Sequence, residues 1–219
     1  MTRACAAELL AVLAVLAALA VTCLAAQAGS LEARVTTPVG APLEDAAVVL
    51  EPLSGATLAE RPPAAAIEQR NREYAPYLTI VQTGTAVDFP NRDPFKHHVY
   101  SFSPAKVFEI KLYAGKPAKP VMFDKPGEVA LGCNIHDWME AYVLVVDTRY
   151  FAKTGINGQA FVTNVPAGRY RLLFWHPRQK TALPPREIEI GAAPVKLELA
   201  MNAAPRLIKP RPPVDADGY

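Results

Sequence analysis

The chain has 219 residues, which leaves room for one large domain or two small ones, and 51% of them are hydrophobic, enough to bury a core in each. Its 23 basic and 21 acidic residues give a formal net charge of +2, with no basic patch of the kind that follows a phosphate backbone. A nucleic-acid partner is therefore not expected, which leaves small molecules, metal ions and other proteins.

Residues 1–28 have the layout of a secretory signal peptide. Arg3 lies near the start, an uncharged apolar run follows, and an A-x-A cleavage motif ends at Ala28. The apolar run is shorter than the roughly 20 residues that a membrane-spanning helix needs. The sequence therefore predicts export to a bacterial periplasm, with cleavage after Ala28 and no stable membrane span in the mature chain.

The first part of the mature chain alternates between apolar and polar residues around turn signals. Residues 31–37 and 47–52 are predicted strands, and a loop with two prolines and a glycine separates them. Residues 56–66 are rich in proline and alanine and show no periodicity. We predict that they form a linker at a domain boundary.

Residues 67–147 read as strands throughout, because no window of this segment shows helical periodicity. The predicted strands are 77–82, 85–89, 98–102, 106–112, 121–123, 128–133 and 141–146. Short strands with turn signals at this spacing predict a sandwich or barrel closed over one core.

The last part of the chain continues the β pattern. Further predicted strands are 158–163, 171–176, 186–190 and 196–199. Residues 201–219 are a proline-rich tail that is predicted to be extended or disordered.

The cysteines indicate a metal site. Cleavage of the signal would remove Cys5 and Cys23 and leave Cys133 as the only cysteine in a compartment where cysteines normally form disulfides. An unpaired thiol can be an inert buried residue or can form an intermolecular disulfide. Here, however, His136 and Met139 follow at intervals of three on one loop, so we interpret Cys133 as a metal ligand.

A second stretch, DFPNRDPFKHHVYSF, supplies the adjacent histidines His97 and His98 at the start of a predicted strand. Two imidazoles, a thiolate and a weak axial thioether are the ligand set of a blue-copper electron-transfer centre. Neighbouring residues of a regular strand point to opposite faces, so only one of the two histidines can face the site. Both faces carry residues that can be partly buried, so alternation leaves the choice open.

These two stretches resemble the metal-binding stretches of the cupredoxins. VDFPNRDPFKHHVYSF is similar to the first-ligand stretch of that family, and an F-x-x-x-G phrase followed by C-x-x-H-x-x-M is similar to the second. The short cysteine loop is most similar to that of amicyanin. For residues 67–147 the resemblance implies a Greek-key β-sandwich with one bound copper ion.

The resemblance also implies a role for each residue of the site. His97, Cys133 and His136 correspond to the strong copper ligands, and Met139 corresponds to the axial one. His98 stands where the family usually has asparagine, and this position implies a hydrogen bond that braces the Cys133 loop.

The flanking segments resemble a different family. VTTPVGAPLEDAAVVLEP and GQAFVTNVPAGRYRLLFWHP are similar to the carboxypeptidase regulatory-like (transthyretin-like) sandwich. The resemblance implies a second small β-sandwich, formed by residues 29–55 and 148–200, into which the copper segment is inserted. Proteins of this combination are often labelled methylamine utilisation proteins, which indicates a pathway and not a mechanism. The expected fold class is all-β, with two sandwiches.

Three classes of function agree with these residues. The first is a periplasmic electron carrier, not an enzyme, that exchanges electrons with a redox partner protein. The second is a copper chaperone or sensor, which would use the same donors but exchange the ion. The third is an interaction module with a structural zinc site, held by Cys133, His136, His97 and His98 with Met139 merely packed.

Other polar residues are predicted to be structural. Asp88, Asp93 and Asp137 each lie beside a turn or a strand end, where aspartate commonly accepts hydrogen bonds from backbone N–H groups. His176 follows an apolar strand and is interpreted as a strand-end or packing residue. No G-x-S-x-G, Walker or Rossmann phrase is present, so neither hydrolytic nor nucleotide chemistry is expected.

Overall fold

The computed structural model describes residues 28–55, 62–204 and 206. The predicted signal peptide up to residue 27, with its two cysteines, lies outside the described residues. So do most of the predicted linker and most of the predicted tail. The described residues form seventeen strands and no helix, which confirms the all-β fold class. Within this part of the chain, no helix has the length and hydrophobicity needed to cross a membrane.

The strands follow one another through the whole described part. In chain order they are β1 (Gly29–Thr36), β2 (Ala47–Pro52), β3 (Ala65–Ala66), β4 (Glu68–Arg70), β5 (Glu73–Ala75), β6 (Leu78–Gln82), β7 (Thr85–Asp88), β8 (His97–Ser103), β9 (Lys106–Tyr113), β10 (Val121–Phe123), β11 (Gly127–Gly132), β12 (Glu140–Val146), β13 (Phe151–Lys153), β14 (Gln159–Val165), β15 (Gly168–Trp175), β16 (Arg186–Ile190) and β17 (Val195–Ala200).

The first two and the last five strands of the described residues form one sandwich, here called the terminal sandwich (β1, β2 and β13–β17). One of its sheets has the strand order β14-β1-β17 and the other has the order β13-β2-β15-β16. Alternate residues of β1, namely Leu31, Ala33 and Val35, are at most 2% exposed and contribute to the core between the sheets. Burial of one face of each strand in a shared core holds the two sheets together.

The middle of the chain forms a second sandwich, here called the central sandwich (β3–β12). A five-stranded sheet, β6-β12-β11-β8-β9, and a three-stranded sheet, β10-β7-β3, share one core. Strand β11 lies between β8 and β12 and pairs antiparallel with both. The start of β8 and the end of β11 therefore lie at the same end of the sheet, so His97 and Cys133 come together.

Strand β12 is buried on both faces because the two sandwiches pack against each other there. Val143 and Val145 face the central core, whereas Leu144 packs with Val49 and Leu78 in a small cluster between the sandwiches. This explains the nearly continuous apolar run of β12, which differs from the alternating pattern of a strand with one solvated face.

The strands predicted from the sequence are present, with shifts of one to three residues at several ends. Four short strands, β3–β5 and β13, were not predicted. The β4–β5 hairpin lies in the polar segment EQRNREY, which lacks an apolar–polar alternation. Its turn places Asn71 and Arg72 at φ values of 56° and 58°, a conformation that is uncommon for residues other than glycine.

Candidate metal centre

Three donor side chains converge at one end of the central sandwich. The nearest ligand atoms of His97, Cys133 and His136 all lie within 4.8 Å of one another. His97 begins β8, Cys133 directly follows β11, and His136 lies in the loop that leads to β12. The three residues are 0%, 4% and 2% exposed, so the cluster is shielded from bulk water.

The distances within the cluster fit one first-row transition-metal ion. His136 Nδ1 lies 3.2 Å from His97 Nδ1 and 3.8 Å from Cys133 Sγ. Metal bonds of about 2.0 Å to imidazole and about 2.3 Å to thiolate place two donors of the same ion roughly 3–4 Å apart. These two separations therefore agree with two imidazole nitrogens and a thiol sulfur that bind the same ion.

Met139 ends the loop that carries Cys133 and His136. Its side chain is 2% exposed and belongs to the same core cluster as Cys133. The Met139 N–H donates to the carbonyl oxygen of His136 at 2.9 Å, which closes a tight turn directly after the histidine. This turn keeps the loop short, so that Met139 follows the histidine by only three residues.

His98 does not join the donor cluster. Its Nε2–H donates to Glu109 Oε1 at 2.9 Å on the neighbouring strand β9, and its Nδ1 has no hydrogen-bond partner among the described residues. The expected hydrogen bond from the His98 side chain to the Cys133 loop is therefore not present. The four-donor set of a structural zinc site, which needs both histidines, is not brought together.

Tyr74 makes the connection that had been expected of His98. Its hydroxyl group lies 2.8 Å from the carbonyl oxygen of His98 and 3.0 Å from that of Gly132, and it donates its hydrogen to this pair. Tyr74 thereby links the first-ligand strand to the residue before Cys133. Burial, followed by the proximity of the Cys133 thiol, raises the pKa of Tyr74, so its hydroxyl stays protonated.

We expect Tyr74→Phe to destabilise the protein by about 1–3 kcal/mol, because it removes a donor from two buried carbonyl groups. Urea denaturation with an unchanged m-value measures this difference. A free energy of unfolding equal to that of the unsubstituted protein would show that the hydroxyl does not connect the two segments.

Asp93 accepts a hydrogen bond from the first histidine of the site. His97 Nε2 lies 2.7 Å from Asp93 Oδ2, and the two side chains are 0% and 6% exposed. Burial raises the pKa of Asp93, but hydrogen bonds from Arg72 N–H, His97 and Asn71 N–H outweigh it and leave the pKa below its usual value. The expectation that Asp93 satisfies backbone donors is correct, but its bond to His97 was not predicted.

An apolar surface lies next to the donor cluster. The Phe95 ring packs edge-on against the His97 and His136 rings, with centroids 5.2 and 6.0 Å apart. Together with Pro94, Lys96, Leu112 and Ile135 it lines a shallow depression, here called the apolar face. The apolar face therefore adjoins both imidazoles through the ring of Phe95.

His176, the remaining histidine, lies far from this cluster in the terminal sandwich. Its Nε2–H donates to the carbonyl oxygen of Glu44 at 3.1 Å, and its Nδ1 accepts from Arg178 N–H at 3.0 Å. Burial lowers its pKa, so the ring is neutral at pH 7. Both ring nitrogens are used in structural hydrogen bonds, which agrees with a packing role.

Part of this chain is similar to solved copper proteins. A copper-containing nitrite reductase from Thermus scotoductus SA-01 is 21% identical over 44% of this chain and 25% of its own, with a TM-score of 0.37. A purple cupredoxin from Nitrosopumilus maritimus is 22% identical over 37% of this chain and 99% of its own, with a TM-score of 0.34. Amicyanin from Paracoccus versutus is 15% identical over 45% of this chain and 97% of its own, with a TM-score of 0.33.

No protein-family model matches the chain, and no curated protein matches it either. This chain spans only 25% of the length of the nitrite reductase. TM-scores of this size assign neither family nor function, so the interpretation of the site rests on its own geometry. The described residues form an all-β protein in which a buried cysteine and two buried histidines are arranged to hold a metal ion.

Proposed function

We propose that residues 67–147 are a cupredoxin-type domain that holds one copper ion and carries single electrons. The observation that carries this proposal is the convergence of His97, Cys133 and His136 at ligand distances. Met139 ends the loop that carries Cys133 and His136. A thiolate, two imidazoles and a weak thioether suit both oxidation states of copper. The bound ion would supply one-electron exchange, and the chain supplies the donors and the surroundings.

The donor set favours copper over zinc. A structural zinc site uses four strong donors, and His98, the histidine that could provide the fourth, is hydrogen-bonded to Glu109. The remaining candidate is the thioether of Met139, a soft and weak ligand that suits copper.

Burial of the ligands favours electron transfer over ion exchange. The three strong donors are at most 4% exposed, and a core of apolar side chains surrounds them. A chaperone must pass its ion to another set of ligands and needs those donors at the surface, whereas an electron can leave through the imidazole edges beneath the apolar face. The proposed partner is accordingly a redox protein that docks at the apolar face.

The segments that flank residues 67–147 would form a second domain. Residues 29–55 and 148–200 would form a carboxypeptidase regulatory-like sandwich that carries the copper domain as an insertion. The shared core of β1, β2 and the last five strands supports this division. We further propose that the protein is exported to the periplasm and that its signal peptide is removed after Ala28. Its pathway would be related to methylamine utilisation.

Voltammetry in the presence of a chelator tests the proposed function. The copper-loaded protein, prepared without residues 1–28, should give a reversible one-electron wave and should retain its copper over repeated cycles of reduction and oxidation. Transfer of the copper to the chelator at each reduction would instead favour a chaperone. The same measurement after loading with zinc, which should give no wave, is the control.

We expect Met139→Gln to retain copper and to lower its reduction potential. An oxygen donor favours the oxidised ion more than a thioether does, so a tenfold change in relative affinity, equal to about 59 mV, is the expected order of the shift. Met139→Leu, which offers no donor, is the matched control and should raise the potential. An unchanged potential in Met139→Gln with copper retained would contradict axial ligation.

A further inference from the structure

The turn of the β4–β5 hairpin lies against the donor cluster, although no residue of the hairpin is a candidate ligand. Asn71 and Arg72 form this turn, both with positive φ. The conformation points their two successive N–H groups at one acceptor, the carboxylate of Asp93, at 2.6 Å to Oδ1 and 2.9 Å to Oδ2. Asp93 is thus held by the backbone of a hairpin that lies about twenty residues earlier in the chain.

The same turn is fixed to the metal-binding loop from its other side. Trp138 Nε1–H donates to the carbonyl oxygen of Arg72 at 3.2 Å, and the Arg72 guanidinium lies 5.8 Å from the centre of the Trp138 ring. The Trp138 ring in turn lies 5.0 Å from that of His136. The hairpin therefore cannot move away from the cluster without breaking contacts with the loop that carries Cys133 and His136.

Because the turn holds Asp93 in place, Asp93 in turn fixes the position of the His97 ring. Its Oδ2 accepts a hydrogen bond from His97 Nε2 at 2.7 Å, and a carboxylate can only accept, so Nε2 must carry the proton. The His97 Nδ1 then has a free electron pair, and it is Nδ1 that lies 3.2 Å from His136 Nδ1 inside the cluster. A carboxylate behind a ligating imidazole fixes its tautomer and orientation and makes it a stronger donor.

We propose that Asp93, held by the Asn71–Arg72 turn, is a positioning residue for the metal centre that selects the ligating tautomer of His97 and lowers the reduction potential of the site. This inference rests on the proposed copper function. The physical reason for the lower potential is charge. A buried negative carboxylate one imidazole away from the ion stabilises the doubly charged oxidised form more than the singly charged reduced form.

A purely structural role for Asp93 would have different consequences. Its bonds to two backbone N–H groups would then matter for stability alone, and an isosteric neutral acceptor would replace it without any effect on the metal. Asp93→Asn separates the two roles, because an amide oxygen in the place of Oδ2 can still accept from Arg72 N–H and from His97 Nε2–H while the charge is lost. The bond from Asn71 N–H to Oδ1 is lost, and its effect is measured as a change in stability.

The first arm of the test compares reduction potentials. We expect Asp93→Asn to lower the preference for Cu(II) over Cu(I) at least tenfold, which equals a rise of about 59 mV for a one-electron couple. Asp124→Asn is the matched control, since Asp124 is an exposed carboxylate of the same sandwich that pairs with Lys106 at 2.9 Å, and it should leave the potential unchanged. Equal potentials in Asp93→Asn and Asp124→Asn would overturn the inference while the copper function stands.

The second arm needs no copper. Nitrogen-15 NMR of the metal-free protein should show His97 as the Nε2–H tautomer in the unsubstituted chain and as a mixture of tautomers in Asp93→Ala. A single Nε2–H tautomer in both proteins would show that Asp93 does not select it. If the unsubstituted protein binds no coloured copper, the proposed function fails and the inference about the potential fails with it.

Discussion

Replacement of Cys133 by serine is expected to abolish the visible absorption of the copper-loaded protein and to weaken copper binding by more than about a hundredfold. Loss of an outer partner of a ligand typically costs 10–100-fold in metal affinity, so loss of the thiolate itself should cost more. A serine hydroxyl is poorly acidic and is a hard donor, so it gives no thiolate-to-copper charge transfer.

The fold should survive this change, because serine is of similar size to cysteine and His136 Nδ1, which lies 3.8 Å from Cys133 Sγ, is available as a partner for the buried hydroxyl. Thermal unfolding of the metal-free proteins provides the control, since it separates loss of a ligand from loss of structure. A Cys133→Ser protein that is folded and as strongly coloured as the original would remove the copper hypothesis.

The second large effect is expected from His97→Ala, which should also eliminate the coloured site. His97 places its Nδ1 in the donor cluster, whereas the ring of His98 is bonded to Glu109. His98→Ala should therefore leave both the colour and the copper affinity in place. The two substitutions are matched, because they remove the same side chain from adjacent positions that are both buried.

Copper titrations of the two variants, followed by visible absorption, decide between the histidines. Loss of the coloured site in His98→Ala with His97→Ala intact would reverse the assignment. Equal loss in both variants would favour a site that uses four strong donors, as zinc does.

The donor loop could be predicted from the sequence because its chemistry is local. Cys133, His136 and Met139 lie within seven residues, and an unpaired cysteine in a chain that is predicted to be exported needs an explanation. The choice between His97 and His98 could not be made from alternation, since both are buried, at 0% and 6% exposure. Contacts with residues distant in sequence distinguish the two histidines: His97 meets His136, whereas His98 is bonded to Glu109 on the neighbouring strand β9.

The supporting residues could not be predicted, because their partners are distant in sequence. Tyr74 bridges two carbonyl groups that belong to different strands, and Asp93 connects a hairpin turn to His97. A tyrosine in a polar segment and an aspartate before a proline carry no signal for such roles. The hairpin formed by Glu68–Arg70 and Glu73–Ala75 could not be predicted either. Its Asn-Arg turn is not one of the usual Asn-Gly or Asp-Gly hairpin signals.

The pairing of the first two strands with the last five could be predicted, because an apolar strand face must be covered. β1 and β2 cannot bury an apolar face by themselves, so they need partner strands elsewhere in the chain. β1 finds them in β14 and β17, and β2 finds them in β13 and β15. The packing between the two sandwiches was not predicted. A strand that is buried on both faces has a continuous apolar sequence, and this sequence does not show what covers the second face.

Addition of Cu(II) to the metal-free protein tests the central claim most directly, namely that His97, Cys133, His136 and Met139 hold a single copper ion that cycles between two oxidation states. We predict an intense visible absorption that saturates at one equivalent, disappears on reduction by ascorbate and returns on reoxidation. A protein that stays colourless with Cu(II), or that binds zinc with full occupancy and excludes copper, would contradict the claim.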